Sequence, residues 1–276
     1  MRQIIKKILP PIVLDIKHAI APPKRSPHEI VWKGDYGSWR EAAANSTGYD
    51  AEVILAKTAA AVTKVKNNEA AYERDSVLFD KPDHAWPLLA LLLKIGAENE
   101  NVVRVADFGG SIGSSYFQNR NFLKPMKLEW SVVEQEHYIA LGNQKFADDQ
   151  LKFYYTIDDC IKERKPDVLL LSGVIQYLDD PYGWLRNFMK HDIEYIIFDR
   201  TAFTNAPKDR LTVQEVPESI YKASYPAWFF NYRHFIGFFN DNYDVVAEFD
   251  SHPGFLARID NKTNGFYKGF MLKRKP

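Results

Sequence analysis

The sequence predicts an α/β protein built around a mostly parallel β-sheet, and two observations support this prediction. First, the β-branched run Val102–Val105 is typical of a buried parallel strand, and three glycines follow it closely, Gly109, Gly110 and Gly113. Glycine lets the backbone turn sharply and approach a ligand closely. Such a turn at the carboxyl end of a strand is where open α/β sheets bind nucleotides. Second, further apolar, strand-like runs follow at 127–133, 151–155, 166–178 and 194–199.

Capping signals predict the helices between these strands. Asp50 is placed to cap a helix over 51–65, since aspartate is a preferred N-cap residue. A second helix, capped near Asp83, carries Pro87 in its first turn, where proline is favoured. The run Asp179–Pro181 predicts the start of another helix directly after the strand-like segment that ends near residue 178.

The carboxyl-terminal third is rich in aromatic side chains. Residues 217–240 carry nine of them at helical spacing, which predicts a helix packed into the core. A helix that covers an acceptor site is the alternative. Residues 243–249 and 265–272 predict two final strands joined into an antiparallel hairpin.

Composition sets further limits. The 276 residues suit one α/β domain with additions, or two small domains, and 46% hydrophobic residues are ample for a core. A net charge of zero gives no argument for a nucleic-acid partner, so none is expected. The single cysteine, Cys160, excludes an intrachain disulfide and suits a reducing compartment. No run approaches 18 apolar residues, so we expect a cytoplasmic protein.

The glycine spacing after the first strand restricts the ligand. A dinucleotide-binding loop needs glycine at its first, third and sixth positions. Counted from Gly109, the later positions hold Ser111 and Ser114, and the count from Gly110 fails as well. The pattern that fits is acid-x-Gly-x-Gly-x-Gly, beginning at Asp107, with a serine in place of the middle glycine.

This pattern resembles the first motif of class I S-adenosylmethionine-dependent methyltransferases. The resemblance implies a Rossmann-like class I methyltransferase fold: a seven-stranded, mostly parallel sheet with an antiparallel C-terminal hairpin and an N-terminal helical extension. It implies S-adenosyl-L-methionine as the cofactor. The residues that it places in the cofactor loop are Asp107, Gly109, Gly110, Ser111 and Gly113. The sequence has no His-x-x-x-His pair and a single cysteine, so we expect no metal ion.

The same resemblance assigns roles at later strand ends. Glu134 ends the second strand, where a carboxylate accepts hydrogen bonds from both ribose hydroxyls. Asp158 lies where the family often contacts the adenine. Ser172 and Gly173 end the fourth-strand segment, whose end faces the methyl group and its acceptor.

The amino-terminal region is basic and amphipathic. Residues 1–33 hold seven Lys and Arg against two Asp and Glu, and isoleucines recur at helical spacing through residue 20. Two interpretations stay open: an apolar face packed on the domain or on a partner subunit, which we favour, or residues 1–20 resting on an anionic membrane surface or a glycan-assembly protein. We expect the extension to cover 1–98 and the cofactor domain 99–276.

A more distinctive stretch, Trp32–Trp39, follows this segment. It resembles a narrower group of bacterial proteins classed as methyltransferases and encoded among surface-polysaccharide biosynthesis genes. That resemblance implies a small polar acceptor, a sugar or glycan intermediate of a cell-surface polysaccharide. The candidate acceptor-binding residues are Tyr36, Trp39, Asp199, Arg200 and Trp228.

Methylation of a sugar hydroxyl requires a proton acceptor, and histidine is the usual one. The candidates are His84, before the first strand, and His234, in the aromatic segment; a structural role is the alternative for each. Tyr177 is placed to orient the acceptor or to pack over the cofactor. Two other functions stay open: a cofactor-binding but inactive scaffold in glycan assembly, and an NAD-dependent oxidoreductase, which the glycine spacing disfavours.

Overall fold

The computed structural model describes most of the chain from residue 30 onward. The described residues are 30–48, 51–67, 69–70, 72–74, 77–79, 85–218, 223–251, 255–260 and 263–276. The basic segment 1–29 lies outside them, as do His84 and the predicted caps Asp50 and Asp83. The membrane or partner contact expected for residues 1–20 is therefore still a prediction.

Eight helices and thirteen strands lie within the described residues. The helices are α1 Trp39–Ala44, α2 Ala51–Lys66, α3 Trp86–Glu98, α4 Ser114–Asn119, α5 Glu136–Lys145, α6 Ile157–Arg164, α7 Pro181–Phe188 and α8 Tyr232–Gly237, with a short 3₁₀ helix at Ile175–Tyr177. The strands are β1 Val31–Lys33, β2 Tyr72–Arg74, β3 Val77–Phe79, β4 Val102–Phe108, β5 Lys127–Val133, β6 Leu151–Tyr154, β7 Val168–Ser172, β8 Tyr195–Thr204, β9 Arg210–Val216, β10 Ala223–Asn231, β11 Tyr243–Asp250, β12 Ala257–Ile259 and β13 Thr263–Arg274.

The centre of the molecule is a parallel, doubly wound sheet. Its strands stand in the order β6-β5-β4-β7-β8, so the chain moves outward in both directions from β4. This order is typical of Rossmann-like sheets, which bind ligands where the strand order reverses. The predicted Rossmann-like α/β fold is confirmed, and the reversal lies between β4 and β7.

Helices cover both faces of this sheet. Val105 faces α2, α3, α4 and α5 in one apolar cluster, whereas its neighbour Ala106 faces α6, α7 and α8 in another. The predicted helix starts are confirmed where the structure describes them. Pro87 lies in the first turn of α3, and α7 begins at Pro181 after Asp180, whose side chain accepts from the Gly183 N–H.

The predicted C-terminal hairpin is also confirmed. Strand β13 runs antiparallel to β8 and to β11, and β11 forms the outer edge. The pairing of β13 with β8 shifts register between Lys268 and Phe270. At this shift Asp199 and Arg200 lie together opposite Gly269, as in a β-bulge.

The sheet has eleven strands among the described residues rather than the seven expected. The long strands β8 and β13 extend beyond the central sheet and pair there with additional strands. In the order β8-β10-β9-β1-β12-β13, hydrogen-bonded pairs close a ring, because β13 returns to β8. We call these six strands the ring. Strands β1 and β12 have only three residues each, too few for a recognisable alternation in the sequence.

The helix predicted over 217–240 is wrong for its described first part. Residues 223–231 form strand β10, and only 232–237 are helical, as α8. The aromatic residues alternate along β10: Phe229 packs with the ring interior, whereas Phe230 packs with α7 and α8. Because the aromatic side chains are dense, they match the helical period of 3.6 residues as well as the strand period of 2. Pairing with β9 along seven residues favours the strand over the helix. No helix among the described residues is both long and apolar enough to span a membrane.

Candidate functional site

The loop after β4 has the backbone that its glycines permit. Gly109, Ser111 and Gly113 have φ values of +73°, +55° and +93°. The Gly109 N–H donates to the Val133 carbonyl at 2.9 Å, which ties the loop to β5, and the Gly113 N–H donates to the Gly110 carbonyl at 3.0 Å. Gly113 is also the N-cap of α4. The result is a tight turn between a parallel strand and a helix start.

The carboxyl group of Asp107 supports this loop from within the protein. A Cβ on Gly110 would stand 2.5 Å from Asp107 Cγ, so the loop backbone lies directly on the carboxyl group. Asp107 is 1% exposed, and its Oδ2 accepts from Trp130 Nε1 at 3.0 Å. Burial raises the pKa of Asp107 to about 7. Asp107 therefore acts on the site through the loop.

Glu134 joins the end of β5 to the same loop. Its Oε2 accepts from the Gln135 N–H at 2.6 Å. Burial raises the pKa of Glu134, while hydrogen bonds from the backbone of Gln135 and Ser111 oppose the rise. A half-buried carboxylate thus lies beside the loop, at the strand end where the ribose contact was predicted.

A polar network joins the end of β7 to the middle of β8. Ser172 Oγ donates to Asp199 Oδ2 at 3.1 Å, and Ser251 Oγ donates to Asp199 Oδ1 at 2.9 Å. The Gly173 N–H donates to the Asp199 carbonyl at 2.8 Å. Asp199 is 3% exposed, so both of its carboxylate oxygens are engaged inside the protein.

Arg200 lies next in the chain and has a left-handed backbone, with φ +51°. Its N–H donates to Ser251 Oγ at 2.9 Å, and its carbonyl accepts from Gln176 Nε2 at 3.1 Å. Its guanidinium lies beside Gly173, where a Cβ would stand 3.5 Å from Nη2. Arg200 Nε is 3.4 Å from Ser172 Oγ.

Most predicted cofactor residues therefore share one edge of the sheet, together with two of the predicted acceptor residues. At the carboxyl ends of β4, β5 and β7, and where β8 passes the end of β7, lie Asp107, Gly109, Gly110, Ser111, Gly113, Glu134, Ser172, Gly173, Asp199 and Arg200. We call this group the cradle.

Tyr177 connects the cradle to the ring. The 3₁₀ helix that contains it begins two residues after Gly173, and Tyr177 Oη donates to Gln214 Oε1 at 3.0 Å. The same Gln214 oxygen accepts from Trp32 Nε1 at 3.1 Å, and Gln214 Nε2 donates to Tyr225 Oη at 3.1 Å. Tyr177 is thus a part of a polar cluster of β1, β9 and β10.

Three predicted acceptor residues form a separate aromatic group. Tyr36, Trp39 and Trp228 pack around Leu211 and Val213, on the face of β9 opposite Gln214. Trp228 Nε1 also donates to the carbonyl of residue 178 at 3.1 Å, directly after the 3₁₀ helix. The aromatic group is therefore tied to the segment that follows the cradle.

Two residues predicted for the site, Asp158 and His234, are exposed on helices and are not members of the cradle. The Asp158 side chain is 74% exposed in the first turn of α6, with Oδ1 3.4 Å from His191 Nε2. The His234 side chain is 64% exposed on α8, with Nδ1 3.2 Å from Tyr182 Oη. Tyr182 donates to Asp209 Oδ2 at 2.8 Å, and burial raises the pKa of its hydroxyl.

The sequence interpretation missed four residues that organise this region: Trp130, Gln176, Gln214 and Ser251. Trp130 could have been found from the sequence, because the alternation of side chains along β5 places it on the same face of the sheet as Asp107. Gln176 is 2% exposed and its Oε1 has no hydrogen-bond partner. Gln214 and Ser251 act on residues far along the chain, so no local pattern indicated them. Among the described residues, no group of three His, Cys, Asp or Glu side chains could hold a metal ion.

Neither a protein-family model nor a curated protein matches the chain. Solved structures with a similar fold include the N-terminal domain of EvdMO1, obtained in the presence of SAH and D-fucose, with 12% identity over 83% of this chain and 98% of that one and a TM-score of 0.46. Magnesium protoporphyrin IX methyltransferase from Synechocystis, with bound SAH, is 12% identical over 69% of this chain and 82% of that one, with a TM-score of 0.45. The amino pentose methyltransferase CalS10 from Micromonospora echinaspora has 10% identity over 70% and 93%, and a TM-score of 0.43. The likeness to these structures is one of fold alone.

Proposed function

We propose that this protein transfers a methyl group from S-adenosyl-L-methionine to a small polar acceptor. The observation that carries the proposal is the packing of Gly110 on the Asp107 carboxyl group, with Glu134 beside the same loop. The Glu134 carboxylate suits a ligand that presents hydroxyl donors, while the buried Asp107 supports the loop from within the protein. A carboxylate beside the loop does not suit the phosphates of a dinucleotide, whose glycine spacing the loop also lacks.

The residues of the cradle fit such a cofactor. A Cβ on Gly109 would collide with Val174, and a Cβ on Gly110 would collide with Asp107. The loop backbone therefore packs closely on its neighbours and leaves no room for a side chain at either position. In this proposal Glu134 accepts from the ribose hydroxyls, each charge-assisted bond contributing about 1.5–3 kcal/mol. In the same proposal Ser172 and Gly173 face the reacting end of the cofactor, and Asp158, which is exposed at the start of α6 and outside the cradle, contacts the adenine.

When bound, this cofactor supplies a methyl group on a cationic sulfur, which is already a good leaving group. The protein then has to hold an acceptor in line with the methyl–sulfur bond, and positioning of this kind can supply about 7–11 kcal/mol. Tyr177 is the residue that we assign to orienting the acceptor, since its hydroxyl is fixed by Gln214. We retain His84 and His234 as candidate proton acceptors.

For the acceptor, we propose a sugar or glycan intermediate of a cell-surface polysaccharide. The aromatic group Tyr36, Trp39 and Trp228 offers faces on which a sugar could stack. The resemblance of the Trp32–Trp39 stretch to methyltransferases of polysaccharide gene clusters supports the same class. A cytoplasmic protein without a nucleic-acid partner is part of this proposal.

Calorimetric titration with S-adenosylhomocysteine tests the cofactor assignment. We expect micromolar binding to the wild type and at least about tenfold weaker binding to Glu134→Ala, since a charge-assisted contact is lost. Glu136→Ala is the matched control, because that glutamate is exposed in the first turn of α5, and it should bind like the wild type. No binding by the folded wild type would overturn the proposal. Binding without turnover on any glycan intermediate would favour the inactive scaffold, and binding of NAD instead would favour the oxidoreductase.

A further inference from the structure

Two consecutive side chains reach the cradle from β8 because the strand carries a bulge. Consecutive residues of a regular strand point to opposite faces. At Asp199 and Arg200 the pairing with β13 shifts, and Arg200 adopts φ +51°. Bulges of this kind re-aim side chains next to functional sites.

The backbone of Arg200 is held in this conformation from both sides. Its N–H donates to Ser251 Oγ and its carbonyl accepts from Gln176 Nε2. A left-handed backbone is unfavourable for a residue with a Cβ, and backbone strain of this kind clusters at binding and catalytic sites. The bulge therefore fixes the direction in which the arginine side chain leaves β8.

The guanidinium lies beside the residues of the cradle at the end of β7. It lies beside Gly173, at 3.5 Å from the position of a Cβ there. Burial raises the pKa of Asp107, and the positive charge of Arg200 acts against this rise. The Arg200 side chain is 24% exposed, so an anion at this position would be partly desolvated.

We propose that Arg200 binds the amino-acid carboxylate of the cofactor. This inference rests on the proposed function. The amino-acid end of S-adenosylmethionine carries one ammonium and one carboxylate, and the planar fork of arginine suits a carboxylate. Arg200 then has a role in cofactor binding rather than the acceptor role that its sequence position suggested, and Ser251 is the positioning residue for it.

The test compares two ligands and one unusual variant. Arg200→Gly removes the guanidinium but keeps a residue that readily adopts φ +51°, so the bulge should keep its backbone conformation although the contact of Arg200 Nε with Asp199 Oδ2, at 3.9 Å, is lost. S-adenosylhomocysteine should bind Arg200→Gly at least about tenfold more weakly. Its decarboxylated analogue, 5′-deoxy-5′-(3-aminopropylthio)adenosine, should bind wild type and variant within about twofold of each other. Ser251→Ala should weaken S-adenosylhomocysteine selectively too, by a smaller factor.

The control is Arg186→Gln, which removes an exposed arginine from α7. Glutamine is used rather than glycine because glycine would weaken the helix. The control should leave both affinities unchanged. Equal affinity of wild type and Arg200→Gly for S-adenosylhomocysteine would overturn the inference, as would equal weakening of both ligands. A wild type that binds neither ligand would overturn the proposed function itself, so the two failures are distinguishable.

Discussion

Gly110 lies directly on the carboxyl group of Asp107, close enough that a Cβ on Gly110 would stand 2.5 Å from Cγ and 2.6 Å from Oδ2. Asp107 has little room to move aside, because it is buried and its Oδ2 accepts from Trp130. Glycine at position 110, the fourth residue of the motif and one that the motif leaves open, is thus required by packing inside the protein.

Gly110→Ala should therefore destabilise the fold and abolish binding of S-adenosylhomocysteine. Overpacking of this kind typically costs about 1–3 kcal/mol, measurable as a lower free energy of unfolding in urea. Gly237→Ala is the matched control, because a Cβ there meets nothing within 4 Å. An alanine at 110 that leaves both stability and binding unchanged would contradict the packing described here.

Asp107 also predicts a pH dependence of stability. Burial raises its pKa from 3.8 to about 7, so between these values the folded protein keeps a proton that the unfolded chain releases. The free energy of unfolding contributed by this group therefore falls as pH rises from about 4 to about 7. Asp107→Asn cannot ionise and still offers an oxygen to Trp130.

The stability of Asp107→Asn relative to wild type should consequently improve across that window, by on the order of 3–4 kcal/mol. Urea unfolding of both proteins at pH 4.5, 5.5 and 7 (values chosen to span roughly this window) measures the difference. A difference that stays constant with pH would show that Asp107 does not carry the raised pKa.

The part of the site that was predictable from sequence is local in the chain. The strand β4, its glycine loop and Glu134 are encoded by a β-branched run, glycine spacing and an acid at a strand end. Each of these signals lies within a few residues of the feature it predicts. The central sheet and the C-terminal hairpin followed in the same way from apolar runs of ordinary strand length.

The ring and the network around Arg200 were not predictable, because they depend on residues far apart in sequence. Trp32 and Gln214 are 182 residues apart, and Ser251 follows Asp199 by 52. In β10 the aromatic side chains are so dense that they satisfy the helical period and the strand period together. Only pairing with β9 and β8 decides between them.

Gln214 is expected to hold the ring together at its junction with the 3₁₀ helix. Gln214→Leu removes the acceptor of the Trp32 indole N–H. Because Trp32 is only 4% exposed, water cannot replace that acceptor. The substitution also removes the Tyr177 contact. We expect a loss of about 2–4 kcal/mol in the free energy of unfolding, since buried polar groups lose their partners.

Gln144→Leu on the exposed side of α5 controls for the loss of a glutamine amide as such. Both variants are compared with wild type by urea unfolding and by titration with S-adenosylhomocysteine. If Gln214→Leu is as stable as the control, the side-chain hydrogen bonds of this cluster contribute little to the stability of the ring.

Trp228 connects the aromatic group to the segment after the cradle, and its two contributions can be separated. Trp228→Phe keeps an aromatic ring near Phe230, on which the indole stacks at 6.5 Å and 15°, but removes the N–H that donates to the carbonyl of residue 178. The expected loss is about 1 kcal/mol. Trp228→Ala removes the stacking surface as well and should cost about 3 kcal/mol or more.

Urea unfolding measures the stability of both variants, with Trp184→Phe as a control for replacing a partly exposed indole. Equal stability of wild type and Trp228→Phe, with a large loss in Trp228→Ala, would mean that Trp228 acts by packing alone and does not hold the 3₁₀ segment.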